Sequence, residues 1–266
     1  MSVFSFSLSH AAADILWEDL DLGSRPYPFE IRHVGRTFDE RAGIRNAVYR
    51  DLESRKLAFR GRVVGEVQEA LTLLVRADYT VNAIAALDAR VPERQLLARG
   101  GATRDVAALA VLDDRMLKVD LIRSSALLHA LVSLVPQVRP GPGHSMTLPV
   151  PQGQEQRRPR REEDYDANTF TSAVSARSAR GGQEQQLMAI FSRPKLSLGN
   201  FGFSVRGRYG RETKGPEVIW FDNDQGRYMM QTRENPDGQR WMTAAPADSG
   251  RIAMQLGQDL NFLLNS

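Results

Sequence analysis

At the end of this chain, three short strand-like runs separated by turn signals feed one amphipathic helix, and that order fixes the fold class before any chemistry is considered. The runs are Pro216–Phe221, Arg227–Thr232 and Gln239–Thr243, each carrying aromatic, β-branched or methionine side chains. Asp222-Asn223-Asp224-Gln225-Gly226 and Glu234-Asn235-Pro236-Asp237-Gly238 separate them. Both clusters are turn formers, because glycine supplies positive φ and Asn and Asp bond nearby backbone. Consecutive antiparallel strands closed by a helix imply an α+β protein.

The chain has 266 residues, 42% apolar and 25% charged, which allows one large domain or two related halves around a sizeable core. Formal net charge is only +3, so charge alone does not point to nucleic acid. Only four of the 35 basic residues are lysines, namely Lys56, Lys118, Lys195 and Lys214. There is no cysteine, which excludes disulfides, thiol catalysis and cysteine-based zinc sites. Met1–Phe6 lacks the basic and long apolar regions of a signal peptide. The longest apolar run, Ala126 to Val135, is broken by His129 and Ser133 and is too short to span a bilayer. A cytoplasmic protein with no membrane span is expected.

Residues 1–136 form the first expected half. Ser9 caps a helix with Ala13, Leu16, Trp17 and Leu20 on one face, and Gly23 ends it. Pro26-Tyr27-Pro28-Phe29 reads as extended, since the residue before a proline avoids the α region. Two further helices fit Asp39–Arg55 (Ile44, Ala47, Val48 and Leu52 aligned) and Val63–Val75 (Val63, Val67, Ala70, Leu71 and Leu74 inward). The period then changes to two. Val81–Leu87, Arg94–Ala98, Asp105–Leu112 and Met116–Ile122 read as a four-strand meander, and a helix over Ser124–Val135 follows.

Residues 137–162 form a flexible linker in this reading, since Pro140, Pro142, Pro149, Pro151 and Pro159 argue against regular structure. Its Arg157-Arg158-Pro159-Arg160-Arg161 run reads as a solvated loop, with contact to an acidic partner or nucleic acid as the alternative. Residues 163–266 then repeat the first plan. A helical stretch with Phe170 and Val174 breaks at Gly181-Gly182, and a short helix carrying Leu187, Ile190 and Phe191 stops at Pro194. Four strand-like runs follow, the first at Phe201–Val205, and a last helix capped by Asp248 carries Ala253, Leu256, Leu260 and Leu263. Two copies of one pattern suggest a pseudo-twofold arrangement about a shared antiparallel sheet.

Reaction chemistry is hard to find. The four histidines, His10, His33, His129 and His144, lack the spacing of a helical metal pair. Gly202-Phe203-Ser204-Val205-Arg206-Gly207 misses the spacing of a nucleophile elbow and no helix follows it. Asp222-Asn223-Asp224-Gln225-Gly226 opens like a calcium loop but has Gly226 where an oxygen is required and Arg233 where the bidentate Glu belongs. No catalytic residue, cofactor site or metal site is assigned. Trp220-Phe221 and Met229-Met230 place large apolar groups on both faces of their strands. Either helices cover both faces or one face is a recognition surface, and double coverage is the expectation adopted.

Trp220-Phe221-Asp222-Asn223-Asp224-Gln225-Gly226-Arg227-Tyr228, followed by Trp241-Met242-Thr243-Ala244-Ala245-Pro246-Ala247-Asp248 and an apolar helix, resembles the C-terminal signature of the EspG family of type VII (ESX) secretion-associated proteins of actinobacteria. Leu16-Trp17, Pro26-Tyr27-Pro28-Phe29, Gly35-Arg36-Thr37, Asp39-Glu40-Arg41 and Gly61-Arg62-Val63 follow the family order in the first half, and the lysine-poor composition fits such a source. The resemblance implies a pseudo-twofold α+β fold, with a central antiparallel β-sheet flanked by helical bundles. It also implies a non-enzymatic cytosolic chaperone that binds the hydrophobic helical tip of a PPE-like protein in a PE–PPE heterodimer, or another helical ESX substrate. Binding in the family is attributed to the central sheet and the C-terminal helical bundle. On the C-terminal surface the candidate partner-binding residues are Phe203, Trp220, Tyr228, Met230 and Trp241. The alternatives are a small-molecule-binding α+β protein or enzyme, and a nucleic-acid binder acting through the arginine-rich linker.

Overall fold

A computed structural model of the chain describes residues 3–91, 93–150 and 182–266. The chain opens with strand β1 (Phe4–Ser9), helix α1 (His10–Asp19), helix α2 (Phe38–Ser54), a small hairpin β2 (Ala58–Phe59) and β3 (Arg62–Val63), and helix α3 (Gly65–Arg76). Strands β4 (Tyr79–Ala86), β5 (Gln95–Ala102), β6 (Val106–Leu112) and β7 (Met116–Arg123) follow, then a short 3₁₀ turn and helix α4 (Leu127–Val132). The second half contributes β8 (Met146–Pro149), α5 (Gln183–Ser192), β9 (Ser197–Arg206), β10 (Glu212–Lys214), β11 (Val218–Asn223), β12 (Gly226–Glu234), β13 (Arg240–Pro246) and α6 (Ser249–Leu264).

Eleven strands form one sheet in the order β1-β7-β6-β5-β4-β9-β11-β12-β13-β8, with β10 paired to β9 beside this path. All its ladders are antiparallel. The halves meet at a β4–β9 seam running from Tyr79↔Val205 to Ala86↔Leu198. Read outward from it, β4-β5-β6-β7-β1 mirrors β9-β11-β12-β13-β8, and each meander is preceded and followed by a helix. The pattern repeat in the sequence is therefore a pseudo-twofold repeat in space.

Side-chain alternation gives this sheet two faces. On the front, Val81, Ala83, Ala85, Phe201, Phe203, Val205, Val218 and Trp220 pack under Leu127 and Leu131 of α4 and Ile252, Leu256 and Leu260 of α6. On the back of the first half, Leu8, Ala108, Ala110, Leu117, Val119 and Leu121 meet Ile15, Leu16, Leu52, Leu71 and Leu74 from α1, α2 and α3. On the back of the second half, Met146, Phe221, Tyr228, Met230 and Ala244 meet Leu187 and Ile190 of α5. Each fully buried aliphatic or aromatic side chain contributes about 1.5–3 kcal/mol, and these three clusters hold the layers together.

The caps are where the sequence places them. Ser9 Oγ accepts from Ala12 N at 3.1 Å, and Asp248 Oδ1 accepts from Arg251 N at 2.8 Å. Other boundaries differ from expectation for local reasons. The first helix stops at Asp19, because Asp21 adopts a left-handed φ of 48° before Gly23 is reached. Val63 belongs to the hairpin with Ala58, which turns through the positive φ of Arg60 and Gly61, so α3 starts at Gly65. Phe4-Ser5-Phe6-Ser7-Leu8-Ser9 alternates as an edge strand ahead of the expected first helix. Within residues 137–162, Met146–Pro149 is a strand, not an irregular stretch. It lies on the sheet edge beside β13, the position where a strand tolerates proline. The arginine run at 157–161, Phe170, Val174 and Gly181 lie outside the described residues.

Candidate functional site

The Trp220–Tyr228 segment that carries the family resemblance is built around a buried ion pair. Arg227 is fully buried and grips Asp222 twice, Nε to Oδ1 at 2.7 Å and Nη2 to Oδ2 at 2.9 Å. Ser197 Oγ donates to the same carboxylate at 2.6 Å, and the guanidinium lies 4.4 Å from the centre of the Trp220 ring. A buried pair holds only if its remaining polar atoms are satisfied. Here Arg227 Nη2 also donates to the Pro136 carbonyl at 2.8 Å and Nη1 to Ser249 Oγ at 3.3 Å. The backbone of residues 139–141 crosses the hairpin just above. Gly141 N donates to Arg227 O and Arg227 N donates to Arg139 O, at 3.1 and 2.9 Å. A Cβ on Gly226 would sit 2.7 Å from the Arg139 carbonyl oxygen, and one on Gly141 would strike the Tyr228 ring. The signature is thus the wording of a strap-and-hairpin lock, with Asn223 Oδ1 turning the hairpin by accepting from Gln225 N and Gly226 N.

This explains where the five candidate partner-binding residues lie. Phe203 and Trp220 point to the front, beneath α4 and α6, and Tyr228 and Met230 point to the back, beneath α5. All four are buried, so in this arrangement they shape the sheet. Trp241 is half-buried near the β8 edge and pairs across from Arg233. The five do not form one surface. Double coverage by helices accounts for the paired apolar residues Trp220-Phe221 and Met229-Met230.

One apolar strip is only partly covered by the described residues. On the back of the seam, between the C-terminal end of α3 and α5, Ile84, Leu198 and Ile219 are half-buried, although they stand on central strands. Ile84 belongs to none of the three core clusters. Beyond Leu198 the exposed Leu196 follows, its carbonyl accepting from Ala89 N at 2.8 Å. These residues read as core in the sequence; among the described residues Ile84 joins no core cluster, while Leu198 and Ile219 pack only at the margin of the α5 cluster. The α3 end of the strip is fixed by two arginines. Arg99 Nε donates to Leu74 O and Arg206 Nη2 to Val75 O, each at 2.8 Å, so cations cap the carbonyl end of the helix. Burial pulls the Arg99 guanidinium down to about 10, which leaves it charged at neutral pH. At the opposite side, Lys195 Nζ bonds the Phe191 and Arg193 carbonyls at the end of α5, and burial lowers its pKa.

The profile of the EspG family matches residues 9–258. The chain belongs to the EspG family. No curated protein matches it. Fourteen chains of solved structures do. Among them is the Mycobacterium tuberculosis type VII secretion system chaperone EspG5 in complex with the PE25–PPE41 dimer, with a TM-score of 0.67 at 11% sequence identity. The match covers 97% of this chain and 96% of that one, so the whole architecture is shared. The EspG-like pseudo-twofold α+β fold is the fold observed.

Other chemistry finds little support around this frame. Among the described residues no group of three or more His, Asp or Glu could hold a metal ion. His10 Nε2 is engaged with Asp113 O at 2.8 Å, and His33 stands 3.6 Å from Asp14, far from the strip. A small apolar recess with a cavity volume of about 10 Å³ lies under α5, lined by Leu187, Ile190, Phe191, Phe221 and Tyr228. That is below the roughly 300–1,000 Å³ typical of ligand pockets. No helix of the described residues is long and apolar enough to cross a membrane.

Proposed function

We propose that this EspG-family chain is a cytoplasmic, non-enzymatic chaperone of type VII secretion. It holds the hydrophobic helical tip of a PPE-like protein, within a PE–PPE heterodimer, or of another helical ESX substrate, and keeps it secretion-competent. Family membership supports the role, and so does the full-length likeness to a chaperone solved with a PE–PPE dimer. The observation that supports the placement is the strip of Ile84, Leu198 and Ile219 on the back of the seam, which the described residues leave half-buried. A helical tip laid there would bury its apolar face against a rigid sheet floor, with α3 and α5 as walls, which is the helix-in-groove mode of recognition. Co-expression with type VII substrates encoded beside this chain tests the reading. A stable complex and a client recovered in the soluble fraction only when this chain is present are expected. A client equally soluble without it would overturn the proposal.

A further inference from the structure

The strip is not uniformly apolar. Asn200, on the back of β9, is flanked in register by Ile84 and Ile219 and is only 7% exposed. Its Nδ2 donates to Glu217 Oε2 at 3.3 Å, while its Oδ1 is buried without a partner. Among the described residues it is the one buried side-chain acceptor left in that state. Diagonally across the seam, Asn82 lies over Gly202, and its Oδ1 accepts from Gly202 N at 3.0 Å, which turns its amide nitrogen away as a spare donor. Next along the seam, Thr80 Oγ1 and Ser204 Oγ bond each other at 2.9 Å, so their hydroxyls are already used. An acceptor and a donor thus sit side by side in the middle of an apolar floor.

An orphaned buried acceptor is unfavourable in the free chain and is rare in native structures without a reason. A helical tip has the complementary problem. Its ends carry backbone N–H and C=O groups with no partner inside the helix, and a wholly apolar floor would leave them unsatisfied. We infer that Asn200 and Asn82 form a polar notch that reads the backbone at the tip of the client, Asn200 Oδ1 accepting from a helix-terminal N–H and Asn82 Nδ2 donating to a carbonyl. This rests on the proposed function and adds the residues that set orientation and selectivity. The flanking Ile84 and Ile219 are half-buried side chains, free to shift as the tip enters and to open Asn200 Oδ1 to its donor. Apolar contact supplies adhesion along the strip, and the notch requires a chain end at one place on it, which a continuous helix side does not offer.

The test is Asn200→Leu, close in volume and without the amide, measured on the full chain with a co-expressed helical type VII substrate. Thermal melting of the free chain is expected to stay level or rise, because an unsatisfied acceptor is removed, while the client dissociates about tenfold more readily. A merely structural asparagine would give the opposite pairing, a lower melting temperature with unchanged affinity in the molecules that remain folded, and that result would overturn the inference. So would affinity unchanged at unchanged stability. Ile84→Asp separates the two levels. If it abolishes the complex while Asn200→Leu leaves it intact, the strip stands and the notch falls. If the complex forms and neither change matters, the strip and the notch both fall while the function stands; if wild-type chain forms no complex with any helical substrate, the function itself is wrong.

Discussion

The two sides of the β4–β9 seam are made by alternate residues of the same two strands, yet they do different work. In front, Val81, Ala83, Ala85, Phe201, Phe203 and Val205 are buried beneath α4 and α6. Behind, Thr80, Asn82, Ile84, Leu198, Asn200 and Ser204 form a mixed face, with Thr80 and Asn200 buried, Asn82, Ile84, Leu198 and Ser204 half-buried, and only Leu198 packed against a core cluster. A period of two separates a closed face, which holds the molecule together, from one that the described residues cover less fully and that we propose meets the client. On that proposal, stability and recognition lie on one ladder and can be altered separately.

The largest expected effect is on the closed face. Phe201→Ala removes a fully buried ring stacked 6.4 Å from Trp220 and should cost about 3–5 kcal/mol, seen as an earlier urea midpoint. If it cost no more than a surface change, the contrast between faces would fail. Ile84→Ala, its counterpart behind, should cost about 1 kcal/mol or less of stability, since the side chain is half-exposed, and yet weaken client binding in a pull-down. Asp248→Ala removes the cap of α6 and should cost about 1 kcal/mol, loosening the front cover without touching the strip. The smallest effect belongs to a turn remote from both faces. The backbone N–H groups of Arg115 and Met116, with Lys118, hold the Asp113 carboxyl down at about 2, below its usual 3.8. A lowered folded-state pKa contributes stability above pH ~4 and loses it as pH falls toward 2. The melting difference between wild type and Asp113→Asn should therefore shrink across that window, and client binding should be unchanged.

Much of the fold was legible because it rests on local signals. Ser9 and Asp248 mark helix starts through side-chain oxygens, and Leu117, Val119 and Leu121 alternate as a half-buried strand must. The mirrored order of helices and strands was readable for the same reason. β8 was hidden because Pro149 and the prolines around the strand suggest a loop, and only the neighbouring β13 shows that Pro149 falls on an edge. The proposed client surface was the least legible part. Trp220, Tyr228 and Met230 draw the eye as large apolar groups, but Arg227, the 139–141 strap and α5 enclose them. Ile84 and Ile219 look like ordinary core, and their partial exposure among the described residues depends on where α3 and α5 end. A spacing rule carries no such information. Asn200 could have been flagged, as an amide inside an apolar strand, but its lack of a partner is visible only once β4 and β11 lie on either side.

The seam also governs how the chain is made. It bonds Thr80 to Ser204 across 124 positions of sequence, so β4 is synthesised long before its neighbour exists. Until β9 arrives, the nascent first half ends in a bare edge eight residues long, open to pairing with any other strand. Non-local pairing of this kind slows folding and lengthens exposure to aggregation. A protein whose proposed task is to shelter another's apolar end must first survive its own unfinished one, and neither half, produced alone, is complete.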